Sequence, residues 1–262
     1  MTSPVEEVVF DGEQYGYKRS CINLKDSPYW YKLLNDIFKL GHKSGSLLDI
    51  GCNYGFFLRV CEPYFDTYGV DISRYAIFRA RDYAPRSSML IHDVQKGMPF
   101  KDENFDVVTM FDTLEHIKNY GNVLREIHRI LRHEGILLLT TPNRYSMNSI
   151  LFGKDYWFKR DGSHVVLFSR DSLRKTLSEA GFGETRIRTI SLLHFLWDFF
   201  RTTKTPSSQV TPQEDPSQES RTWWRRTPAP AQFCLRKAYH FVNDLPTPWG
   251  ANLYASGKKR SG

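Results

Sequence analysis

The sequence predicts a doubly wound α/β domain with a helical insertion ahead of its last strand. Three observations lead there. Short apolar runs alternate with helix-period segments through the middle of the chain. The first run ends in a glycine turn that opens a helix. Acidic residues stand at the ends of the strands that follow. Strand, helix and strand in repetition is the pattern of parallel strands joined by right-handed crossovers.

The elements follow in order. After an irregular lead-in, Asp26 or Ser27 can cap a helix whose first turn holds Pro28. Trp30, Leu33, Leu34, Ile37, Phe38 and Leu40 form its apolar stripe, and Gly41 and Gly45 close it. Residues 46–50, 67–71, 89–92, 105–111 and 135–141 read as strands, and 55–63, 74–83 and 121–132 as the helices between them. A helix over 170–181 follows, with Ser169 as N-cap, Leu173 and Leu177 facing inward and Gly181 as its stop. Residues 184–190 read as a sixth strand and 250–256 as a weaker seventh. Between these two strands the pattern breaks. Residues 192–200 are almost continuously apolar and aromatic, and 202–222 are rich in Ser, Thr, Pro and Gln, as in a disordered loop. Phe233, Leu235, Ala238, Phe241 and Val242 then give a second helical stripe.

A chain of 262 residues suits one large α/β domain with embellishments. Its net charge of +7 permits an anionic substrate, an acidic membrane surface or nucleic acid, and singles out none of them. Cys21, Cys52, Cys61 and Cys234 are scattered without a CxxC pair, which predicts reduced thiols and a cytoplasmic protein. Glu6, Glu7 and Asp11 make the start of the chain unlike a signal peptide. No apolar run approaches the roughly 20 residues of a membrane span.

The chemistry concentrates in Leu47-Leu48-Asp49-Ile50-Gly51-Cys52-Asn53-Tyr54-Gly55. Gly51 and Gly55 would let the backbone pass close to a ligand where a Cβ collides. Asp49, two residues ahead of Gly51, suits a cationic group. The GxGxxG of a dinucleotide site is absent. Asp71 ends the second strand, from which a carboxylate can accept both hydroxyls of a ribose. Asp93 ends the third, within reach of an adenine amino group. Phe111-Asp112-Thr113-Leu114-Glu115-His116 follows the fourth. Each acid alone reads as a solvated strand end or a helix cap; as a series after a glycine turn they read as a nucleoside site.

The ordered runs LLDIGCNYG, GVDIS, HDVQKGMPFKDENFDVVTMFDTLEHI and LREIHRILRHEGILLLTTPN resemble the class I S-adenosylmethionine (SAM) dependent methyltransferases. Within them they are most similar to the broad group typified by ubiquinone-biosynthesis and natural-product O- and C-methyltransferases. The resemblance spans about residues 47–190. It implies a Rossmann-like sheet of seven strands, mostly parallel with the last antiparallel, and SAM as cofactor. Asp49, Gly51 and Gly55 would hold the methionine end of SAM, Asp71 with Ile72 its ribose side, and Asp93 and Val94 its adenine. Phe111 and Asp112 would line the floor beneath the sulfonium. Asn53 stands where many members carry a third glycine, and Asn tolerates left-handed backbone angles.

The implied organisation is a lead-in and helix over 1–45 covering the cofactor site, a SAM-binding core over 46–191, a helical cap over 192–249, and a last strand with a basic tail over 250–262. Methyl transfer needs in-line alignment and, for a hydroxyl acceptor, removal of a proton. His116 is the candidate base, with His164 a second pocket residue and Glu115 either a base or a charge at a helix start. Cys52 has no evident His partner and is not expected to be a nucleophile. No His/Cys spacing suggests a metal, and none is expected. The expected acceptor is a hydroxyl, less readily a carbon or nitrogen, of a small-molecule, sugar or lipid-type substrate. Tyr145, Tyr156, Trp157, Phe158 and Phe168 would supply pocket walls. The insertion's apolar and basic residues leave peripheral contact with a bilayer open. The alternatives are a nucleic-acid methyltransferase, disfavoured because the chain lacks an Asn/Asp-Pro-Pro-aromatic motif, and a SAM-binding protein without turnover.

Overall fold

Ser27 starts the first helix as its sequence predicts. Its hydroxyl accepts the Tyr29 N–H at 3.3 Å, and Pro28 occupies the first turn of α1 (Pro28–Lys39). The computed structural model describes residues 27–151, 153, 162–190 and 250–259. The lead-in before Ser27, the pocket walls Tyr156, Trp157 and Phe158, and the helical cap over 192–249 lie outside the described residues.

Seven strands are ordered β3-β2-β1-β4-β5-β7-β6. They are β1 (Ser46–Ile50), β2 (Asp66–Asp71), β3 (Ser88–Ile91), β4 (Phe105–Phe111), β5 (Leu131–Pro142), β6 (Phe182–Ile190) and β7 (Asn252–Lys259). The first five pair in parallel, whereas β7 runs antiparallel to both β5 and β6. The sheet is therefore the Rossmann-like one expected. Helices α2 (Phe56–Cys61), α3 (Arg74–Tyr83) and α4 (Tyr120–Ile130) make the crossovers, followed by α5 (Met147–Leu151) and α6 (Arg170–Glu179).

Alternation along the strands divides the core between the two faces of the sheet. Leu48, Val108, Leu137 and Leu139 point to one side with Leu124, Ile127, Leu173 and Leu177, so α4 and α6 cover that face. Leu47, Val107 and Leu138 point to the other with Leu33, Ile37, Phe57, Leu58 and Ile77, so α1, α2 and α3 cover it. Both faces are dry, which explains why the central strands read as nearly continuous apolar runs.

The elements depart from expectation mainly at bulges. β5 starts at Leu131, directly out of α4, and its register against β4 shifts between Phe105 and Val107. Glu134 takes a left-handed φ of 64°, and a Cβ on Gly135 would lie 2.8 Å from the Arg132 carbonyl. β6 likewise starts at Phe182, with a shift at Gly183/Arg186 beside Glu184 at φ 47°. A bulge lengthens a strand while hiding its period, so both starts were misplaced. The helices end earlier than expected, α4 at Ile130 and α6 at Glu179.

Register fixes where function can sit. Ile50 pairs with both Val70 and Met110, and Phe111 pairs with Thr140. The carboxyl ends of β1, β2, β4 and β5 thus form one edge, the usual ligand edge of an open α/β sheet. No described helix is long and apolar enough to cross a membrane.

Candidate active site

The turn after β1 alternates left-handed residues: Gly51 at φ 73°, Asn53 at 48° and Gly55 at 72°. Gly51 and Cys52 donate their N–H groups to the Val70 carbonyl at 2.7 and 3.2 Å, folding the turn across the end of β2. Both glycines face protein atoms. A Cβ on Gly51 would strike the Thr113 side chain, and one on Gly55 would press on Ala80 and Ala84 at 3.3 Å. Their first task is to hold left-handed angles while the turn packs on Thr113 and α3. Asn53 takes the left-handed angle that a third glycine would supply.

That backbone in turn fixes Asp71. Asn53 donates its N–H to Asp71 Oδ2 at 2.9 Å, and Ser73 donates to Oδ1 at 2.8 Å. A carboxylate accepts at about four lone-pair sites, so a carboxylate held this way can take further donors. Ile72 beside it is an exposed apolar side chain. Asp93 accepts the Gln95 N–H at 3.0 Å and so caps the short 3-10 turn Val94–Lys96. The cap reading is realised at Asp93, where it uses one oxygen.

Asp49 is buried and accepts the Thr109 hydroxyl at 2.7 Å. Burial pushes its pKa up to about 7, the Thr109 bond opposes that, and the nearby Asp71 adds to it. Asp71 is raised by burial too, against the amide bonds from Ser73, Asn53 and Ile72. Two carboxyls held above their ordinary range, both by desolvation and Asp49 also by Asp71, form a site that gains from a cationic ligand. The ammonium and sulfonium of SAM fit that demand, and the left-handed turn and the anchored Asp71 fit its nucleoside. Cys52 and Cys61 are buried, with their thiols pushed well up by desolvation, which is the opposite of a nucleophile's environment.

At the end of β4, Phe111 packs edge-on against Phe57 with ring centroids 5.1 Å apart. Asp112 follows at φ 45°. Its N–H meets the Thr140 carbonyl at 3.0 Å and hydroxyl at 3.1 Å, and that hydroxyl donates to Asp112 Oδ1 at 3.0 Å. Asn252, from β7, reaches the same oxygen at 3.4 Å. Burial, followed by the Asp112 charge, raises the pKa of the Tyr29 phenol, so it stays protonated. Sequence reasoning missed Tyr29, Thr140 and Asn252, which lie on three separate elements.

The 3-10 turn Leu114–His116 comes next. Glu115 is 1% exposed and accepts the Thr141 hydroxyl at 3.0 Å. Glu115 stands in the first turn of this 3-10 helix, buried at the sheet edge ahead of α4. His116 Nδ1 meets the Ser163 carbonyl at 3.1 Å, and its ring centroid lies 4.8 Å from that of His164. The Glu115 carbonyl accepts N–H groups from Val165 at 2.9 Å and Val166 at 3.3 Å, which pins the His164 loop to the turn. Glu115, His116 and His164 each offer a ligand atom, all within 4.8 Å of one another. The two candidate histidines are brought together, and the buried Glu115 joins them.

A family model described as a methyltransferase domain matches residues 23–184. Among curated proteins the chain is 27% identical over 170 residues to a probable SAM-dependent methyltransferase of Mycobacterium tuberculosis, covering 63% of this chain and 60% of that protein. It is 26% identical over 162 residues to a tRNA N(3)-methylcytidine methyltransferase of Drosophila melanogaster, covering 54% and 50%. It is 29% identical over 129 residues to a ubiquinone biosynthesis O-methyltransferase of Rhodopseudomonas palustris, covering 45% and 49%. The matches thus span about half to three-fifths of these relatives' own lengths. Among solved structures, the phosphoethanolamine N-methyltransferase 2 of Haemonchus contortus in complex with SAM aligns with a TM-score of 0.61 at 18% identity, over 88% of this chain and 53% of that one. At that identity the likeness is one of fold.

Proposed function

Because the chain belongs to the methyltransferase-domain family of class I SAM-dependent enzymes, we propose that it moves the methyl group of SAM to a hydroxyl of a small, largely apolar acceptor of sugar or lipid type. The observation that carries this reading is the cluster of Glu115, His116 and His164 just past the end of β4, beside Asp112. Transfer to a hydroxyl must dispose of a proton, and two imidazoles backed by a buried carboxylate are equipped for that. The relatives act on different acceptors by name, so the acceptor rests on this chain's own residues. Exposed Tyr145, Ile150, Leu151 and Val165 favour an apolar one, since they follow β5 or flank His164.

SAM, when bound, supplies a methyl group already activated by its sulfonium. In this reading Asp71 receives the ribose hydroxyls and Ile72 lies along the nucleoside, with Asp93 and Val94 toward the adenine. Asp49 favours the cationic methionine end through its turn, formed by Gly51, Asn53 and Gly55. Phe111 and Asp112 line the floor under the methyl group. Tyr29, kept protonated by burial and the Asp112 charge, lies at the same edge. His116 and His164 face the acceptor, where they promote loss of its proton and align its oxygen.

Labelled-methyl transfer from SAM into a small-molecule and lipid extract, followed by mass spectrometry, tests the reading. A methyl ether product is expected. His116→Ala and His164→Ala should each lower turnover by about 100-fold while SAM affinity stays unchanged. In a parallel reaction with total RNA, label found there and not in the extract would favour the nucleic-acid reading, and a loss of less than about tenfold in both variants would remove the imidazoles from the reaction.

A further inference from the structure

We propose that Glu115, His116 and His164 form a binding site for one divalent transition-metal ion of zinc type, through which the acceptor oxygen is held and its proton released. The chemistry rests on the hydroxyl-acceptor reading above and refines how the proton is lost; the metal site stands on the geometry alone. The spacing of Glu115, His116 and His164 in the sequence gives no such signal, because the third donor comes from a distant loop.

The donors match a recognised pattern. Two imidazoles and one carboxylate are the three protein ligands of open catalytic zinc sites, which leave a further position for water or substrate. Their ligand atoms lie within 4.8 Å of one another. Ligands at about 2.1 Å from a shared tetrahedral ion sit roughly 3.4 Å apart, so a small inward rotation of side chains closes the site. Imidazole nitrogen also favours zinc, cobalt and iron over the harder magnesium and calcium.

The surroundings orient these donors as metal ligands are oriented. A carbonyl only accepts, so the Ser163 contact places the N–H of His116 on Nδ1 and the lone pair on Nε2. The Thr141 hydroxyl on Oε2 fixes the plane of the Glu115 carboxylate. His164 is held by backbone: Val165 and Val166 donate to the Glu115 carbonyl, while Phe168 bridges to Asn143 and its carbonyl accepts the Arg144 N–H at 2.8 Å. Glu115 is only 1% exposed, so a divalent ion bound there would be well shielded from water. The acceptor R–OH, bound to the ion, loses its proton to solvent. The oxygen then forms the new C–O bond as the C–S bond of SAM breaks, its electron pair remaining on sulfur.

The test uses the full chain stripped with a chelator and titrated with Co²⁺ alone, followed by visible absorption, with Zn²⁺ competition. One Co²⁺ per chain is expected, with the intense visible bands of a four- or five-coordinate site, displaced by Zn²⁺. His164→Ala should weaken Co²⁺ binding by about 100-fold or more, and Thr141→Val by about tenfold, at unchanged SAM affinity. Unchanged SAM affinity also reports that each variant is folded. No stoichiometric Co²⁺ uptake, or uptake that His164→Ala leaves intact, overturns the proposal. If methyl transfer to a hydroxyl then persists in chelator, the metal fails and the function stands. Stoichiometric, His164-dependent Co²⁺ binding in a protein that methylates no hydroxyl keeps the site and overturns the acceptor reading.

Discussion

Replacing Asp49 by Asn should change how the stability of this protein depends on pH. Asp49 sits 4% exposed at the end of β1, bonded to Thr109, with its pKa pushed up to about 7 chiefly by burial. In the unfolded chain it titrates near 4. Between those values the folded protein holds a proton that the unfolded chain has released. Folding stability from this group is therefore fully present below about pH 4 and is lost as pH rises through 7. Each pH unit in that window is worth about 1.4 kcal/mol, so the whole window amounts to roughly 4 kcal/mol and the part above pH 5 to about 3 kcal/mol. Asn keeps the oxygen that accepts from Thr109 and cannot ionise. Near pH 5 the variant should be the more stable by about 1 kcal/mol and near pH 8 by about 4 kcal/mol, so the gap should widen by about 3 kcal/mol. Denaturant unfolding of both proteins without SAM measures the difference. A gap that stays constant to within about 1 kcal/mol from pH 5 to 8 would refute the reasoning, because Asp49 would then ionise as an ordinary carboxylate.

Binding of SAM near pH 6.5 should release part of a proton, since a cation favours the ionised forms of Asp49 and Asp71; calorimetry in buffers of different ionisation enthalpy reads it, and zero release contradicts it. Asp71→Ala should weaken SAM binding by about 1–3 kcal/mol, and calorimetry giving equal affinity would remove Asp71 from the site. Gly51→Ala should lower stability by about 2–4 kcal/mol, because it strains a left-handed residue and drives a methyl group into Thr113. A melting temperature like the parent's would show that the turn can relax.

The strands and the glycine turn were legible because their signals are local. Leu47 and Leu48, like Val107 and Val108, alternate between two dry faces, and such runs admit few other readings. Asp71 was legible as a strand end, though not the amides of Asn53 and Ser73 that hold it. Glu134 and Glu184 hid their bulges, since nothing in a glutamate announces a left-handed angle. The acceptor side was least legible. Tyr29, Thr140 and Asn252 meet only after helix α1, strand β5 and strand β7 have been laid together. The burial of Glu115 was not legible, because a 3-10 turn has no hydrophobic period by which to recognise its buried side.

The position of β7 has a consequence for biosynthesis. Residues 252–259 occupy the slot between β5 and β6, although they are the last strand to be made. Among the described strands, a nascent chain that has emerged only as far as residue 200 has one edge of β5 unpaired and β6 without its β7 partner. Bare strand edges recruit other strands, so each ribosome in a polysome holds an adhesive intermediate until residue 259 clears the exit tunnel. Synthesis at about 5–20 residues per second makes the wait from residue 190 several seconds long. Slower elongation over residues 191–259 is therefore expected to lower the yield of folded protein.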